Sequence, residues 1–253
     1  MDKLIYTAYA SLAHIKMDQA QSSNELANMT SIGFKKAFDN ATETRMVSGS
    51  GASRYVPVNT ASDEIVLDEG PFISTGKGLD IYMRDKTVMG VTAKNGQIAF
   101  TRRGDLSVNE AGIIVEGSKH PVLSEGGGII TAPVGADLSV AADGRILATD
   151  PQFLDQPPAL LGQLMIRDAA NTPMIRREDA LLEPSTQRGQ GGDFDDGEGI
   201  PSVTSGGLEG SSVKVANQLV KFMDIARSFE VRIKMINEMK ELDESGASLM
   251  RMV

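Results

Sequence analysis

"VANQLVKFMDIARSFEVRIKMI", Val215 to Ile236, places apolar residues at alternating steps of four and three: Val215, Leu219, Phe222, Ala226, Phe229, Ile233 and Ile236. That period keeps one stripe of an α-helix apolar over three heptads, the pattern by which helices pack side by side. Ser211 or Ser212 supplies an N-cap, and Lys240 breaks the seam. The polar tail from Ser245 to Val253 is expected to fray.

The other chain end carries a second seam. From Asp2 to about Ile32 the positions Ile5, Ala8, Leu12, Ile15, Leu26 and Met29 keep the same alternation when Gln19 and Ser22 are counted in. Asp2 caps its start. Its later half, "SSNELANMTS" (Ser22 to Ser31), is built of weak helix formers, and Gly33 suits the left-handed position after a helix, which would set Phe34 over Met29. Burying seven seam residues yields on the order of 10 to 20 kcal/mol gross. Ordering some 30 residues costs about 1.5 kcal/mol apiece. Intrahelical bonds recover part of that, yet such a helix is expected to need neighbours.

Between the ends, Glu64 to Ala180 reads as short β-branched strands separated by turns, with Asn95-Gly96 and Asp143-Gly144 as the strongest hairpin signals. The expected class is α+β, a discontinuous domain of paired N- and C-terminal coiled-coil-like helices flanking a mainly antiparallel β domain. Its segments are an N-terminal helix in 1–36, an irregular connector in 37–63, the β domain in 64–182, a Gly-rich acidic linker in 183–210 and a C-terminal helix in 211–253.

Composition limits the chemistry. A chain of 253 residues with 41% hydrophobic and 23% charged residues can bury a core without staples. The absence of cysteine excludes thiol catalysis and cysteine metal sites. A formal charge of −9 opposes binding to a phosphate backbone, so no nucleic-acid partner is expected. No apolar run approaches the roughly 18 residues of a membrane span, and the start lacks a basic region followed by an apolar block, so neither membrane insertion nor a cleaved signal is expected.

The remaining motifs read as structure. "GPFISTGKG" (Gly70 to Gly78) has one residue too many between its first glycine and its Gly-Lys pair for a phosphate loop, and Gly78 replaces the Ser/Thr that would hold magnesium. It is expected to be a hairpin turn. "EGGGI" (Glu125 to Ile129) lacks the strand-to-helix setting of a dinucleotide site. "DFDDGEG" (Asp193 to Gly199) lacks the ligand spacing of a calcium loop and reads as solvated linker charge. His14 and His120 are expected to have no nearby carboxylate or Ser constellation that would make a catalytic base, and no catalytic, cofactor or metal site is expected.

Two stretches carry a resemblance. "SSNELANMTSIGFKK" (Ser22 to Lys36) resembles the Ser-Asn-Asn-Leu-Ala-Asn, Thr-x-Gly-Phe-Lys signature of the rod and hook proteins of the bacterial flagellar axis, and "LEGSSVKVANQLVKFMDIARSFEVRIKMI" (Leu208 to Ile236) resembles their C-terminal signature. "MDKLIYTA", "FTRRGDLSVNEAGIIVEGSKHPVL" and "GGLEGSS" narrow it toward the proximal rod. Glu25 stands where the family usually has a second Asn, and Lys214 where it usually has Asn. The resemblance implies a structural subunit of the flagellar basal-body rod. Its partners would be copies of itself and other rod proteins, after passage through the flagellar type III export apparatus without a cleaved signal, in a rod spanning the periplasm.

On that reading the assembly interface comprises Ile5, Leu12, Ile15, Asn24, Leu26, Asn28, Gly33 and Phe34 at one end. At the other it comprises Val215, Leu219, Phe222, Phe229, Ile233 and Ile236. Asn24 and Asn28 would fix register between packed helices. Two rival readings stand beside it: a closed homo-oligomeric coiled-coil adaptor using the same seams, and a metal-dependent hydrolase using the "DFDDGEG" carboxylates. A different rod or hook position in the same family also stays open.

Overall fold

A computed structural model describes residues 2–38, 41–49, 52–60, 64–133, 135–150 and 157–251, with side chains for 11–38, 64–133, 135–150, 157–242 and 244–246. The chain divides into two compact units: Met1–Ala27 with Asp39–Ser62 and Lys214–Val253, and Asn28–Phe38 with Asp63–Val213. The class is α+β, with antiparallel sheets and a long C-terminal helix.

The first unit holds helix α1 (Asp2–Ala27), strands β1 (Ala41–Gly49) and β2 (Ala52–Thr60), and helix α2 (Val215–Arg251). β1 and β2 pair in register from Ala41↔Thr60 to Gly49↔Ala52, so a nine-residue ribbon lies where an irregular connector was expected. Pro57 is tolerated because each strand of a two-stranded ribbon has a free edge. α1 stops at Ala27, short of the expected stop at Gly33. Asn28 and Ser31 turn the chain there: the Ser31 amide donates to the Asn28 carbonyl at 3.1 Å and its hydroxyl to Asn28 Oδ1 at 3.1 Å. Local side-chain bonds of this kind compete with the helix.

A coiled coil along the expected α2 seam is not evident. Val215, Leu219 and Ile233 are exposed, whereas Phe222, Phe229 and Ile236 are half-buried. The least exposed positions of α2 run Gln218, Phe222, Ile225, Phe229, Arg232, Ile236 and Met239, again in steps of four and three. At 100° per residue this covered stripe is turned by roughly 60° from the purely apolar one.

The second unit is built from β3 (Phe72–Ser74), β4 (Ile81–Met83), β5 (Thr87–Thr92), β6 (Ile98–Thr101), β7 (Ser107–Val108), β8 (Ile114–Val115), β9 (Asp137–Val140), β10 (Arg145–Thr149), β11 (Ala159–Gln163), β12 (Ile166–Asp168), β13 (Met174–Arg176), β14 (Leu182–Pro184), β15 (Val203–Ser205) and β16 (Gly207–Glu209). Its largest sheet has the order β12-β5-β6-β14-β13, beside a three-stranded sheet β11-β10-β9. β5 is covered on both faces: Met89 and Val91 enter one apolar cluster with Ile81, Ile114, Ile146 and Leu164, while Val88 enters another with Phe100, Met165 and Met174. That explains why its sequence, "TVMGVT", is nearly continuous apolar rather than alternating.

Both expected hairpin turns form. Gly96 (φ 81°) joins β5 to β6 and Gly144 (φ 82°) joins β9 to β10. The Gly70–Gly78 stretch is not a local hairpin, because β3 pairs instead with β16, Phe72 opposite Glu209, and the amides of Thr75 and Gly76 both donate to Gly206 O. Likewise 183–210, expected as a linker, contains β14 from Glu183, a 3-10 turn at Ser185–Gln187, β15 and β16. Several of its glycines, though not Gly189 or Gly206, serve close approaches. A Cβ at Gly207 would lie 2.3 Å from the Phe72 ring.

Candidate functional site

Glu209 ends β16 with its carboxylate fully buried. Arg102 follows β6 and is 1% exposed; Lys35, on the segment that leaves α1, is also 1% exposed. Arg102 Nε donates to Glu209 Oε2 at 2.7 Å and Nη2 to Oε1 at 3.0 Å. Lys35 Nζ donates to the same Oε1 at 2.5 Å, and the Gly70 amide adds a further bond to it at 2.7 Å.

The cations are satisfied as well. Arg102 gives its remaining protons to the carbonyls of Met83 (2.7 Å), Asp85 (2.6 Å) and Thr87 (3.1 Å), so all five donors of the guanidinium are used. Lys35 also donates to the Asp68 carbonyl at 2.6 Å. Burial pushes the Lys35 ammonium down to about 8, with the charge of Arg102 acting in the same direction and Glu209 opposing both. One carboxylate thus faces two cations. Removing Glu209 would leave both uncompensated in the interior, a loss of about 3 to 5 kcal/mol.

Around these charges the backbones of the two arms are stitched together. Gly33 N donates to Glu209 O (2.7 Å), Ser212 N to Phe34 O (2.9 Å) and Lys36 N to Ser212 Oγ (2.9 Å). Gly33 has the expected left-handed backbone (φ 66°), but for a different reason from the expected helix stop. A Cβ there would sit 2.4 Å from Arg102 O. The Arg176 guanidinium lies 4.1 Å above the Phe34 ring and donates to the Lys35 carbonyl.

Of the residues named from the sequence, Gly33 and Phe34 belong to this cluster. Ile15 is 6% exposed on α1, Leu12 and Leu26 are half-buried there, and Asn24 is exposed. Asn28 is half-buried in the turn after α1, and the Ile5 side chain lies outside those described. The buried amide contact between the helices is made instead by Gln218, whose Nε2 donates to Ser22 Oγ at 2.6 Å and Ser22 O at 3.1 Å.

Lys35, Arg102, Glu209 and Gln218 were missed as site residues, since a charged or amide side chain in isolation reads as surface. A signal was present: the first three lie inside the three stretches that carried the family resemblance. Gln218 stands four and seven residues before Phe222 and Ile225, at a seam position.

The other candidates are structural in their geometry. Of the acids of 193–199, Asp193 bonds Arg167 at 2.8 and 3.0 Å and Asp196 lies 4.0 Å from it; Glu125 bonds the same guanidinium at 2.9 Å, while Asp196 Oδ1 accepts from the Asp168 amide. The bond to Asp193, above the other causes, holds the Arg167 guanidinium above its ordinary range. His120 Nδ1 lies 2.7 Å from Glu116 Oε1, both buried. A cleft of about 500 Å³ lined by Leu67, Asp68, Asp85, Asp168, Glu198 and Ile200 among others opens on the acidic side of the second unit.

The family described as flagellar basal body rod FlgEFG protein C-terminal matches residues 204–249. Over 259 residues the chain is 30% identical to the flagellar basal-body rod protein FlgF of Salmonella typhimurium, covering 100% of both. It is 28% identical to the FlgF of Escherichia coli, covering 95% of each, and 23% identical to the flagellar basal-body rod protein FlgG of Bacillus subtilis, covering 99% of this chain and 100% of that protein.

Proposed function

The chain belongs to the flagellar basal-body rod protein family and is a structural subunit of that rod, and we propose that it joins the proximal rod through its two terminal helices. Copies of itself and other rod proteins are its neighbours there. The chain reaches the periplasm through the flagellar export apparatus; no helix among the described residues is long and apolar enough to cross a membrane.

The observation that carries this reading is the outward apolar stripe of α2. Val215, Leu219, Met223 and Ile233 are 43%, 49%, 68% and 37% exposed on a helix of 37 residues. Covering the exposed part of each such side chain stabilises an assembly by about 0.5 to 2 kcal/mol. The matching stripe of a neighbouring subunit is the natural cover, through heterologous contacts that continue into a helical array. Similarity along the whole chain to rod proteins disfavours the closed adaptor.

The buried charge cluster lies close in sequence to both helices. Lys35 lies eight residues beyond the end of α1, and Glu209 six before the start of α2. The cluster therefore joins, within the second unit, the segment that follows α1 to the one that precedes α2. In a strain lacking its own copy, a chain carrying Leu219→Asp with Ile233→Asp is expected to fold, be exported and fail to restore swimming. Normal swimming would overturn the reading.

A further inference from the structure

We propose that Gln218 and Ser22 form a register pin between α1 and α2 of one chain, the positioning contact that decides which residues of the two helices face each other. This rests on the paired terminal helices of the proposed function. Ser22 is fully buried and Gln218 6% exposed, and they bond twice through one amide nitrogen. Neighbouring Glu25, 5% exposed, accepts a bond from Gln21 at 3.3 Å, so the pin sits in a polar section of an otherwise apolar interface.

The orientation follows from where the helices end. α1 stops five residues after Ser22 and α2 starts three before Gln218, so only the stretches leading toward the two chain termini are free to run alongside each other. The pair is antiparallel. Moving one turn at a time from the pin sets Asp18 opposite Phe222, Ile15 opposite Ile225 and Ser11 opposite Phe229. Burial agrees: Ile15 is buried, and Ser11, Asp18, Phe222, Ile225 and Phe229 are all half-buried.

A pin is needed because the seam itself is permissive. Phe222, Ile225 and Phe229 present similar apolar surface after a slip of one turn, so packing alone distinguishes registers poorly. The slip that sets Ile15 opposite Phe229 would move Gln218 opposite Leu26 and break both bonds to Ser22, and a buried donor without a partner is disfavoured strongly enough to select one register. Register in turn fixes which side of α2 stays outward.

The chain has no cysteine, so engineered pairs report without background. Dilute full-length chain with Ile15→Cys and Ile225→Cys is oxidised, and the intramolecular disulfide is compared with that of Ile15→Cys and Phe229→Cys, which reports a one-turn slip. In the Gln218 background the first pair is expected to dominate. Gln218→Leu should raise the ratio of slipped to native product about tenfold, while Ser22→Thr, which keeps a hydroxyl, should leave it unchanged. An unchanged ratio in Gln218→Leu, with the helical signal intact, overturns the pin. Loss of the helical signal in Gln218→Leu moves the comparison to Ser22→Ala, where an unchanged ratio has the same force. Failure to cross-link by either pair in the unsubstituted background overturns the antiparallel pair itself, while swimming, read separately, tests the rod assignment.

Discussion

Gly33 and Gly96 show how one backbone conformation can have two different causes. Both are left-handed, yet a Cβ at Gly96 meets open space whereas one at Gly33 runs into Arg102 O. Gly96→Ala is therefore expected to lose only the conformational term, about 1 kcal/mol. Gly33→Ala adds a displacement of the 33–36 and 209–212 pairing and should lose about 2 to 4 kcal/mol. Denaturant midpoints of the two variants separate these outcomes, and equal losses would argue against the close approach. The sequence revealed that Gly33 needed φ above zero; it could not reveal that a backbone 69 residues away fills the space beside it.

Lys35 sets a pH dependence whose sign can be worked out. Its proton leaves at about 8 in the folded chain against 10.5 for the free group, so between those values the unfolded chain holds more protons and stability rises with pH. The gain is at most roughly 3 kcal/mol. Tyr82 acts the other way: burial, then the Glu69 carboxylate, raises its hydroxyl from 10.0 to about 12, so stability falls as pH climbs above 10. Urea midpoints should accordingly rise from pH 7.5 to 9.5 and decline beyond pH 10, with the rise absent in Lys35→Met. A steady decline from pH 7.5 would contradict the buried ammonium.

At the scale of elements, what was legible depended on how local the cause was. The turns at Gly96 and Gly144 were readable because both strands of each hairpin flank two residues of turn chemistry. The pairing of β3 with β16 was not, since Phe72 and Glu209 are 137 residues apart and each stretch alone is rich in turn residues. The period of α2 was legible but its rotation was not. Two stripes roughly 60° apart both satisfy a four-three repeat, and the one that includes Gln218 and Arg232 looked less apolar. Charged substitutions therefore have opposite effects on the two stripes. Phe222→Asp should lower the helical signal of the isolated chain, whereas Leu219→Asp should leave its unfolding free energy within about 0.5 kcal/mol of the parent; thermal melts followed by circular dichroism on the purified chain distinguish them.

Across the whole molecule, charge is divided between the two units. Of the 25 basic and 34 acidic residues, 11 of each belong to the helical unit, so the formal −9 falls entirely on the β unit. A neutral helical unit can gather many copies side by side without accumulating repulsion, while an acidic β unit keeps the subunit soluble before assembly. The three stretches that carried the family resemblance meet at Lys35, Arg102 and Glu209, a convergence no single stretch could show, because ion pairs spanning 107 and 174 residues leave no local trace.

The central claim is that the outward stripe of α2 joins one subunit to the next. It is tested most directly by isolating basal bodies from a strain whose copy carries Leu219→Asp with Ile233→Asp. The account predicts exported, folded subunit in the periplasmic fraction and none in the purified basal bodies; incorporation at the level of the unsubstituted chain would contradict it.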